Sequence, residues 1–350
     1  MTTKIYNTIM RLMLPALAVV CILVSCGKYK APPGSSTNNG AGNPVDTSNG
    51  VGITVAGGNG DSSLANQLNW PFGVFVDSLG NVFVADTYNN RIQEWAPGST
   101  TGITIAGGNG IGTASNQFHY PAGLFVDGTG NIYIADTYNN RVQEWIKATN
   151  SIVTVAGDSS GSSGQDSAHL NTPTGIFVDK TGNLYIADQY NNRIQKWPAD
   201  TSIHYGITVA GSANSTQLAY PVAVYVDSIG DIYVSDYGNN RIQEWSADTS
   251  MHNGITVAGG NSVGYASNQL YQPWGLYVNG NGDIFVSDRF NNRIQKFAAG
   301  MDTATTVAGG NGIGAAPNQL FDAASIFVDK TGIIYVADTY NNRIQKWVGH

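Results

Sequence analysis

The chain has 350 residues, of which 42% are hydrophobic and only 12% are charged, and its formal net charge is −7. This apolar content is enough for a packed core, and 43 glycines indicate a turn-rich β protein. A chain with a net negative charge presents a poor electrostatic surface for nucleic acid, which is therefore not an expected partner.

Residues 1–25 have the features of a targeting segment. Lys4 and Arg11 precede an apolar run at residues 12–24. This run is too short to span a bilayer comfortably, and its length is typical of a signal peptide. The sequence Leu-Val-Ser-Cys at 23–26 resembles the bacterial lipobox. That resemblance implies cleavage before Cys26 and a diacylglycerol group on its sulfur. Cys21 is a poorer candidate, because the preceding Val20 is not small.

We therefore expect residues 1–25 to be a lipoprotein signal peptide and Cys26 to be lipidated. The protein would then lie on the extracytoplasmic side of the bacterial cell envelope, attached to a membrane through Cys26. An ordinary secretory signal or an uncleaved anchor remains the alternative. Cys21 and Cys26 are the only cysteines, so the rest of the chain can form no disulfide, cysteine metal site or thiol nucleophile.

Residues 26–50 are rich in Gly, Ser, Pro, Asn and Thr and show no apolar periodicity. This composition predicts a flexible tether, with a typical reach of roughly 25–30 Å.

The sequence Asn-Asn-Arg then occurs six times, at spacings of 48 to 52 residues. Its copies begin at Asn89, Asn139, Asn191, Asn239, Asn291 and Asn341. A period near 50 residues indicates one supersecondary unit repeated, with a core formed between neighbouring units.

Each unit contains four short β-branched or aromatic runs separated by Gly, Asn and Asp. In the first unit these runs are 73–77, 81–86, 91–95 and 103–106. This pattern predicts four strands, and four-stranded sheets repeated radially make a β-propeller. The first two runs are apolar on both faces, so they should be buried between sheets.

The two ends of the repeated region complement each other. A strand-like segment at 53–57 precedes the first full unit, whereas the last unit stops after its third strand at 343–347. We therefore predict an all-β fold over residues 51–350. It is a six-bladed propeller of four-stranded antiparallel blades, closed by strand 53–57, which completes the last blade and covers its open edge.

The repeated pattern Pro-x-Gly-x-x-Val-Asp-x-x-Gly-Asn, followed by Ala-Asp-x-x-Asn-x-Arg-Ile-Gln, resembles the NHL repeat. The resemblance covers all six units and implies a six-bladed propeller that most often acts as a binding platform. Among relatives some bind RNA, some bind proteins, some sense extracellular ligands and a few are lyases or hydrolases. Fold alone does not choose among these roles.

Residues present in every unit are best explained by the scaffold. Six Asp residues end the second strands and six Arg residues begin the third strands. The carboxylate and guanidinium of each unit can therefore bridge the hairpin. The pairs are Asp86 with Arg91, Asp136 with Arg141, Asp188 with Arg193, Asp236 with Arg241, Asp288 with Arg293, and Asp338 with Arg343.

Residues that vary between units are the candidates for ligand binding. They fall on the face that carries the Tyr-Asn-Asn loops and the long loops joining one unit to the next, where function is usually found. The candidates are Trp70, Phe72, His119, Tyr120, Tyr220, Gln272, Trp274, Arg289 and Asp322. Aromatic rings with a few polar groups suit a protein or peptide partner, or else a glycan. Such binding requires an open aromatic mouth without a charged cluster, and the alternative is that these rings merely cover the blades.

An enzyme on this fold would need a central cluster of His, Asp or Glu, and the sequence offers no His-x-x-x-His pair. We assign no catalytic residue, metal ligand or cofactor. The favoured interpretation is a monomeric, membrane-tethered binding platform. The alternative is a metal-dependent lyase or lactone hydrolase with its site in the central channel.

Overall fold

The computed structural model describes residues 50–200, 204–212, 217–247 and 253–348. The expected signal peptide at 1–25, Cys26 and residues 27–49 of the expected tether lie outside the described residues. Within the described ranges, no helix is both long and apolar enough to cross a membrane.

The chain forms six four-stranded antiparallel sheets, which we number as blades 1 to 6 in chain order. The inner strands are Pro71–Val76 (β2), Pro121–Val126 (β6), Pro173–Val178 (β10), Pro221–Val226 (β14), Leu276–Val278 (β18) and Ala323–Val328 (β22). The second strands are Val82–Asp86 (β3), Ile132–Asp136 (β7), Leu184–Asp188 (β11), Ile232–Asp236 (β15), Ile284–Asp288 (β19) and Ile334–Asp338 (β23).

The outer half of each blade is more polar. The third strands are Arg91–Trp95 (β4), Arg141–Ile146 (β8), Arg193–Trp197 (β12), Arg241–Trp245 (β16), Arg293–Phe297 (β20) and Arg343–Trp347 (β24). The outermost strands are Ile103–Gly107 (β5), Ser151–Gly157 (β9), Ile207–Gly211 (β13), Ile255–Gly259 (β17), Ala304–Gly309 (β21) and, in blade 6, Gly52–Gly57 (β1).

Blade 6 is closed by the two ends of the described region. Strand β1 pairs antiparallel with β24, from Gly52 opposite Trp347 to Gly57 opposite Arg343, with a bulge near Ala56. The prediction of six blades closed by the N-terminal strand is confirmed.

Apolar side chains pack between neighbouring blades, so each interface has its own hydrophobic cluster. Between blades 6 and 1, for example, Val74, Val84 and Trp95 pack with Tyr335 and Ile344. The inner strands approach each other closely at the axis. A Cβ atom on Gly73 would clash with the carbonyl oxygen of Ala122, so a side chain would force these strands apart.

The second and third strands are joined by a single turn of 3-10 helix, which is followed directly by the second Asn of each repeated motif. That residue adopts the left-handed conformation, with φ of 51° to 56°, which asparagine tolerates better than most residues. The helices are Thr87–Asn89, Thr137–Asn139, Gln189–Asn191, Tyr237–Asn239, Arg289–Asn291 and Thr339–Asn341.

A buried carboxylate at the end of each second strand organises this turn. In blade 1, Asp86 Oδ1 accepts the backbone N–H of Asn69 at 2.7 Å, and its Oδ2 accepts Asn89 Nδ2 at 2.9 Å and Arg91 Nε at 2.6 Å. Burial raises the pKa of Asp86, while the donors from Asn69, Asn89 and Arg91 oppose that rise.

All six predicted Asp–Arg pairs form, with N–O distances of 2.6 to 2.8 Å. The prediction that they bridge the hairpin is confirmed. The remaining nitrogens of Arg91 donate to the carbonyl groups of Ser63, Leu64 and Gln67. The guanidinium therefore also holds the loop that leads into its own blade.

The second Asn of each motif links one blade to the next. Its Oδ1 accepts the backbone N–H of the residue that precedes the next inner strand, at 2.7 to 2.9 Å. We call these six bonds the inter-blade links. They run from Asn90 to Tyr120, Asn140 to Thr172, Asn192 to Tyr220, Asn240 to Gln272, Asn292 to Asp322 and, across the ring closure, Asn342 to Trp70.

We expect Asn342→Ala to lower the free energy of unfolding by about 2–3 kcal/mol, because it removes the acceptor for Trp70 N–H and places alanine in a left-handed conformation. Asn342→Asp keeps the acceptor oxygen and should cost less than about 1 kcal/mol. Urea unfolding of both variants measures the difference. Asn192→Ala, at an internal link, is the matched control and should cost as much as Asn342→Ala. A much smaller cost for Asn342→Ala would contradict a closed ring.

Candidate functional site

The Tyr-Asn-Asn face surrounds one end of the propeller axis. The residue before each inner strand lies there in a left-handed conformation, with φ of 49° to 58°. These residues are Trp70, Tyr120, Thr172, Tyr220, Gln272 and Asp322. Such backbone strain can mark a functional site, but here all six copies share it and each is held by an inter-blade link. The strain therefore belongs to the repeat and does not by itself single out a ligand site.

Aromatic side chains form a continuous band across blades 6, 1 and 2 of this face. Ring centroids are 4.5 Å apart for Phe321 and Tyr340, 4.4 Å for Tyr340 and Trp70, and 4.9 Å for Trp70 and Tyr88. The series continues from Tyr88 to Tyr120 at 4.8 Å and from Tyr120 to Tyr138 at 5.2 Å. We call these six half-buried residues the aromatic band.

His119 extends the aromatic band in blade 2. Its ring lies 5.2 Å from those of both Tyr120 and Tyr138. Burial lowers the pKa of His119, so the imidazole is neutral at pH 7 and contributes a largely apolar surface with one polar edge.

The other half of the face carries fewer ring contacts. Tyr220 is 46% exposed and lies 5.7 Å from Tyr190, while the Tyr237 hydroxyl donates to Gln272 Oε1 at 2.7 Å. The sequence-predicted residues Tyr220 and Gln272 are therefore accessible but lie outside the aromatic band.

Below this face, one side chain from each blade fills the axis. Phe72, Ala122, Val222, Trp274 and Ala324 form a buried cluster, and Phe72 and Trp274 lie 5.4 Å apart. The sixth position is Thr174, whose hydroxyl donates to the carbonyl of Val222 at 3.0 Å. We call these six residues the axial plug.

A buried ion pair covers the axial plug on the side of the Tyr-Asn-Asn face. The Arg289 guanidinium binds both carboxylate oxygens of Asp322 and lies 4.5 Å above the ring of Trp274. Burial alone would lower the pKa of Arg289, but the Asp322 carboxylate raises it above its ordinary value. The pair joins blades 5 and 6.

The open aromatic mouth without a charged cluster, which the sequence-based interpretation requires for binding, is not formed at the axis on this face, so a ligand here can contact only the surface around the closed axis. Phe72, Trp274, Arg289 and Asp322 are each at most 8% exposed, because the axial plug and its ion pair close the axis there. The structure brings all nine predicted residues to this end of the axis. Only Trp70, His119, Tyr120, Tyr220 and Gln272 lie at the surface, and a ligand-binding role for them stays a prediction.

The opposite end of the axis is open. A cavity of about 730 Å³ extends from the axial plug to the loops that join the first and second strands, on the face opposite the Tyr-Asn-Asn loops. Its walls include one aromatic residue from each inner strand. These are Phe75, Phe125, Phe177, Tyr225, Tyr277 and Phe327, which we call the axial ring.

Sequence reasoning missed this cavity. The feature of the sequence that marks this cavity is an aromatic residue at the same position of every first strand. The apolar run around that residue predicts only a buried core. Among the described residues, no group of three or more His, Cys, Asp or Glu side chains is placed to hold a metal ion.

Similarity to solved structures is confined to the fold. An auxiliary nutrient binding protein from Bacteroides ovatus is 15% identical, with a TM-score of 0.63, over 85% of this chain and 76% of that one. A gluconolactonase from Xanthomonas campestris is 13% identical, with a TM-score of 0.60, over 82% and 89%. Virginiamycin B lyase from Staphylococcus aureus is 16% identical, with a TM-score of 0.51, over 83% and 87%. Identities this low support the shared fold and leave the activity open.

Among curated proteins, no sequence is significantly similar to this chain. The family model of the NHL repeat matches six times, at residues 68–95, 118–145, 170–197, 218–245, 270–297 and 322–347. Each match covers the inner, second and third strands of one blade, together with the Asp, Asn and Arg residues of the buried turn. The chain is thus a six-bladed β-propeller that belongs to the NHL-repeat family.

Proposed function

We propose that this protein is a monomeric binding module of the bacterial cell envelope, attached to a membrane through lipidated Cys26. It binds a protein or peptide, or alternatively a glycan, through the aromatic band. The continuity of the aromatic band over three blades is the observation that carries this proposal.

The aromatic band combines apolar area with polar edges. Tyr and Trp side chains of this kind supply much of the energy at protein interfaces, because they have few rotatable bonds to immobilise. The rings are held by one another and by the inter-blade links, so the surface is preorganised and little ordering is required on binding.

The comparisons support a binding role in part. Two of the solved structures with this fold are described as auxiliary nutrient binding proteins, from Bacteroides species. Others are a lactonase and lyases, so the binding role and the alternative of a metal-dependent lyase or lactone hydrolase both have the support of the shared fold alone.

Replacing Cys26 by alanine should abolish membrane attachment, because the thioether-linked lipid would have no sulfur to join. We expect the wild-type protein to incorporate an alkyne-labelled fatty acid and to partition into detergent, and the variant to do neither. Cys21→Ala is the matched control and should behave as the wild type. Labelling that persists in Cys26→Ala and disappears in Cys21→Ala would contradict the assignment.

The double variant Trp70→Ala, Tyr120→Ala should weaken ligand binding by about 2–4 kcal/mol, or roughly 30- to 1,000-fold in Kd, because it removes the centre of the aromatic band. We would measure binding to purified envelope proteins, envelope-derived peptides and a glycan array, using the lipid-free protein.

The control for this experiment is Tyr205→Ala, which removes a 51% exposed aromatic residue from a loop on the opposite face. It should bind as the wild type does. If the double variant and the control bind equally, the aromatic band is not the site. Turnover of a lactone by the wild type, with a stoichiometric bound metal, would favour the enzyme alternative instead.

A further inference from the structure

The axial ring is closed and nearly regular. Neighbouring ring centroids are 4.7 to 6.3 Å apart all the way round, from Phe75 through the other five residues and back to Phe75. The interplanar angles of 53° to 65° match six rings related by successive 60° rotations about the axis.

The dimensions of the axial ring limit what can enter it. Six centroids at these spacings form a hexagon, so each lies about 5 Å from the axis. Rings that turn their faces to the axis leave a free opening about 7 Å wide. The axial plug and the cavity mouth are each three residues along the strand from the axial ring, which is about 10 Å in each direction.

A point on the axis at the level of the axial ring is about 5 Å from all six ring centroids. The attraction of a cation to an aromatic ring is significant within about 6 Å of the centroid, and it grows when water is excluded. Each ring of the axial ring is half-buried: it packs at an inter-blade cluster and also lines the cavity, as Phe75 and Phe125 do. The arrangement can surround a substituted ammonium group.

The charges around the mouth favour a cation. The six loops that surround it, at 77–81, 127–131, 179–183, 227–231, 279–283 and 329–333, carry seven acidic residues against two lysines. In every blade except blade 5, the first carboxylate of the loop accepts backbone N–H groups of that loop, as Asp227 Oδ1 does from Ile229 and Asp231. In blade 3 such donors from Asn183 and Thr181 outweigh the effect of burial and lower the pKa of Asp179.

The two tyrosines of the axial ring add no negative charge at neutral pH. Burial, together with Tyr277 and Asp227, raises the pKa of Tyr225 to about 12, and burial and Asp329 raise the pKa of Tyr277. Lys180 and Lys330 lie at the mouth in blades 3 and 6, on opposite sides of the axis, and their charges oppose the entry of a cation. In blade 5 the Asp283 carboxylate is already paired with Lys296 Nζ at 2.9 Å.

We propose that the axial cavity binds a small soluble organic cation, whose quaternary or alkyl-substituted ammonium group is held within the axial ring. This site is separated by the axial plug from the aromatic band, and the inference does not depend on the proposed function. Because the axial ring lies about 10 Å below the mouth, a free solute reaches it more easily than does the headgroup of a lipid held in a bilayer.

The test compares choline with its uncharged isostere 3,3-dimethyl-1-butanol in calorimetric titrations of the lipid-free protein. The two probes have the same shape, so they differ only in the charge that the axial ring would recognise. We expect choline to bind about 3- to 30-fold more tightly, the range that cation–π attraction allows. Equal binding of the two probes, or no binding of choline, would overturn the proposal.

Two variants locate the site. Phe125→Leu keeps an apolar side chain but removes one ring. It should weaken the binding of choline about 2- to 5-fold and leave the binding of the neutral isostere nearly unchanged. The double variant Lys180→Gln, Lys330→Gln leaves the core intact. Because it removes two positive charges at the mouth, it should strengthen the binding of choline about twofold at low salt. Tyr205→Leu, an exposed aromatic on the same face but outside the axial ring, is the control and should change neither probe.

If choline binding is unaffected by both Phe125→Leu and the double lysine variant, the site is elsewhere and the proposal fails. Vesicles of phosphatidylcholine and phosphatidylglycerol test the alternative source of the same ammonium group. We expect neither to be retained by the lipid-free protein. Selective retention of phosphatidylcholine would contradict a soluble ligand.

Discussion

The buried carboxylate that ends each second strand is the group on which the rest of this structure depends. It is removed from water, which is costly, and it is compensated by a backbone N–H, an asparagine amide and an arginine guanidinium. Through that arginine it fixes the loop that leads into the blade. The neighbouring asparagine then links each blade to the next, so one buried turn sets both the shape of a blade and its place in the ring.

This arrangement leaves the two ends of the axis free to differ. The inter-blade links hold six backbone positions around one end, and side chains there can vary without altering the ring. Large residues at two of the six inner positions, Phe72 and Trp274, close the axis with the help of the Arg289–Asp322 pair. Below them the aromatic position is kept in every blade, and the cavity remains open to the opposite face. A protein or glycan and a small cation could thus bind at opposite ends of one scaffold.

Much of the fold was predictable because it is repeated. The spacing of the Asn-Asn-Arg motif, the spare strand at 53–57 and the Asp–Arg pairs each follow from what every blade must satisfy. The site was less predictable, because it depends on residues that are not repeated. The axis is filled by the combined side-chain volume of Phe72, Thr174, Val222 and Trp274. A sequence does not give the space between the blades that this volume has to match. The pairing of Arg289 with Asp322, 33 residues away in the next blade, depends on side-chain directions that no local pattern contains. The axial ring is visible in the sequence as a repeated aromatic position, but only the assembled blades show that these residues line a cavity.

The most direct test of the account is native-state hydrogen exchange at the six amides that donate to asparagine side chains. If the inter-blade links close the ring, the amides of Trp70, Tyr120, Thr172, Tyr220, Gln272 and Asp322 should all exchange slowly and at similar rates, through opening of the whole propeller. The amide of Trp70 is decisive, because it spans the closure between the first and last blades. Exchange of Trp70 several orders of magnitude faster than that of Tyr220 would contradict a closed and uniformly linked ring.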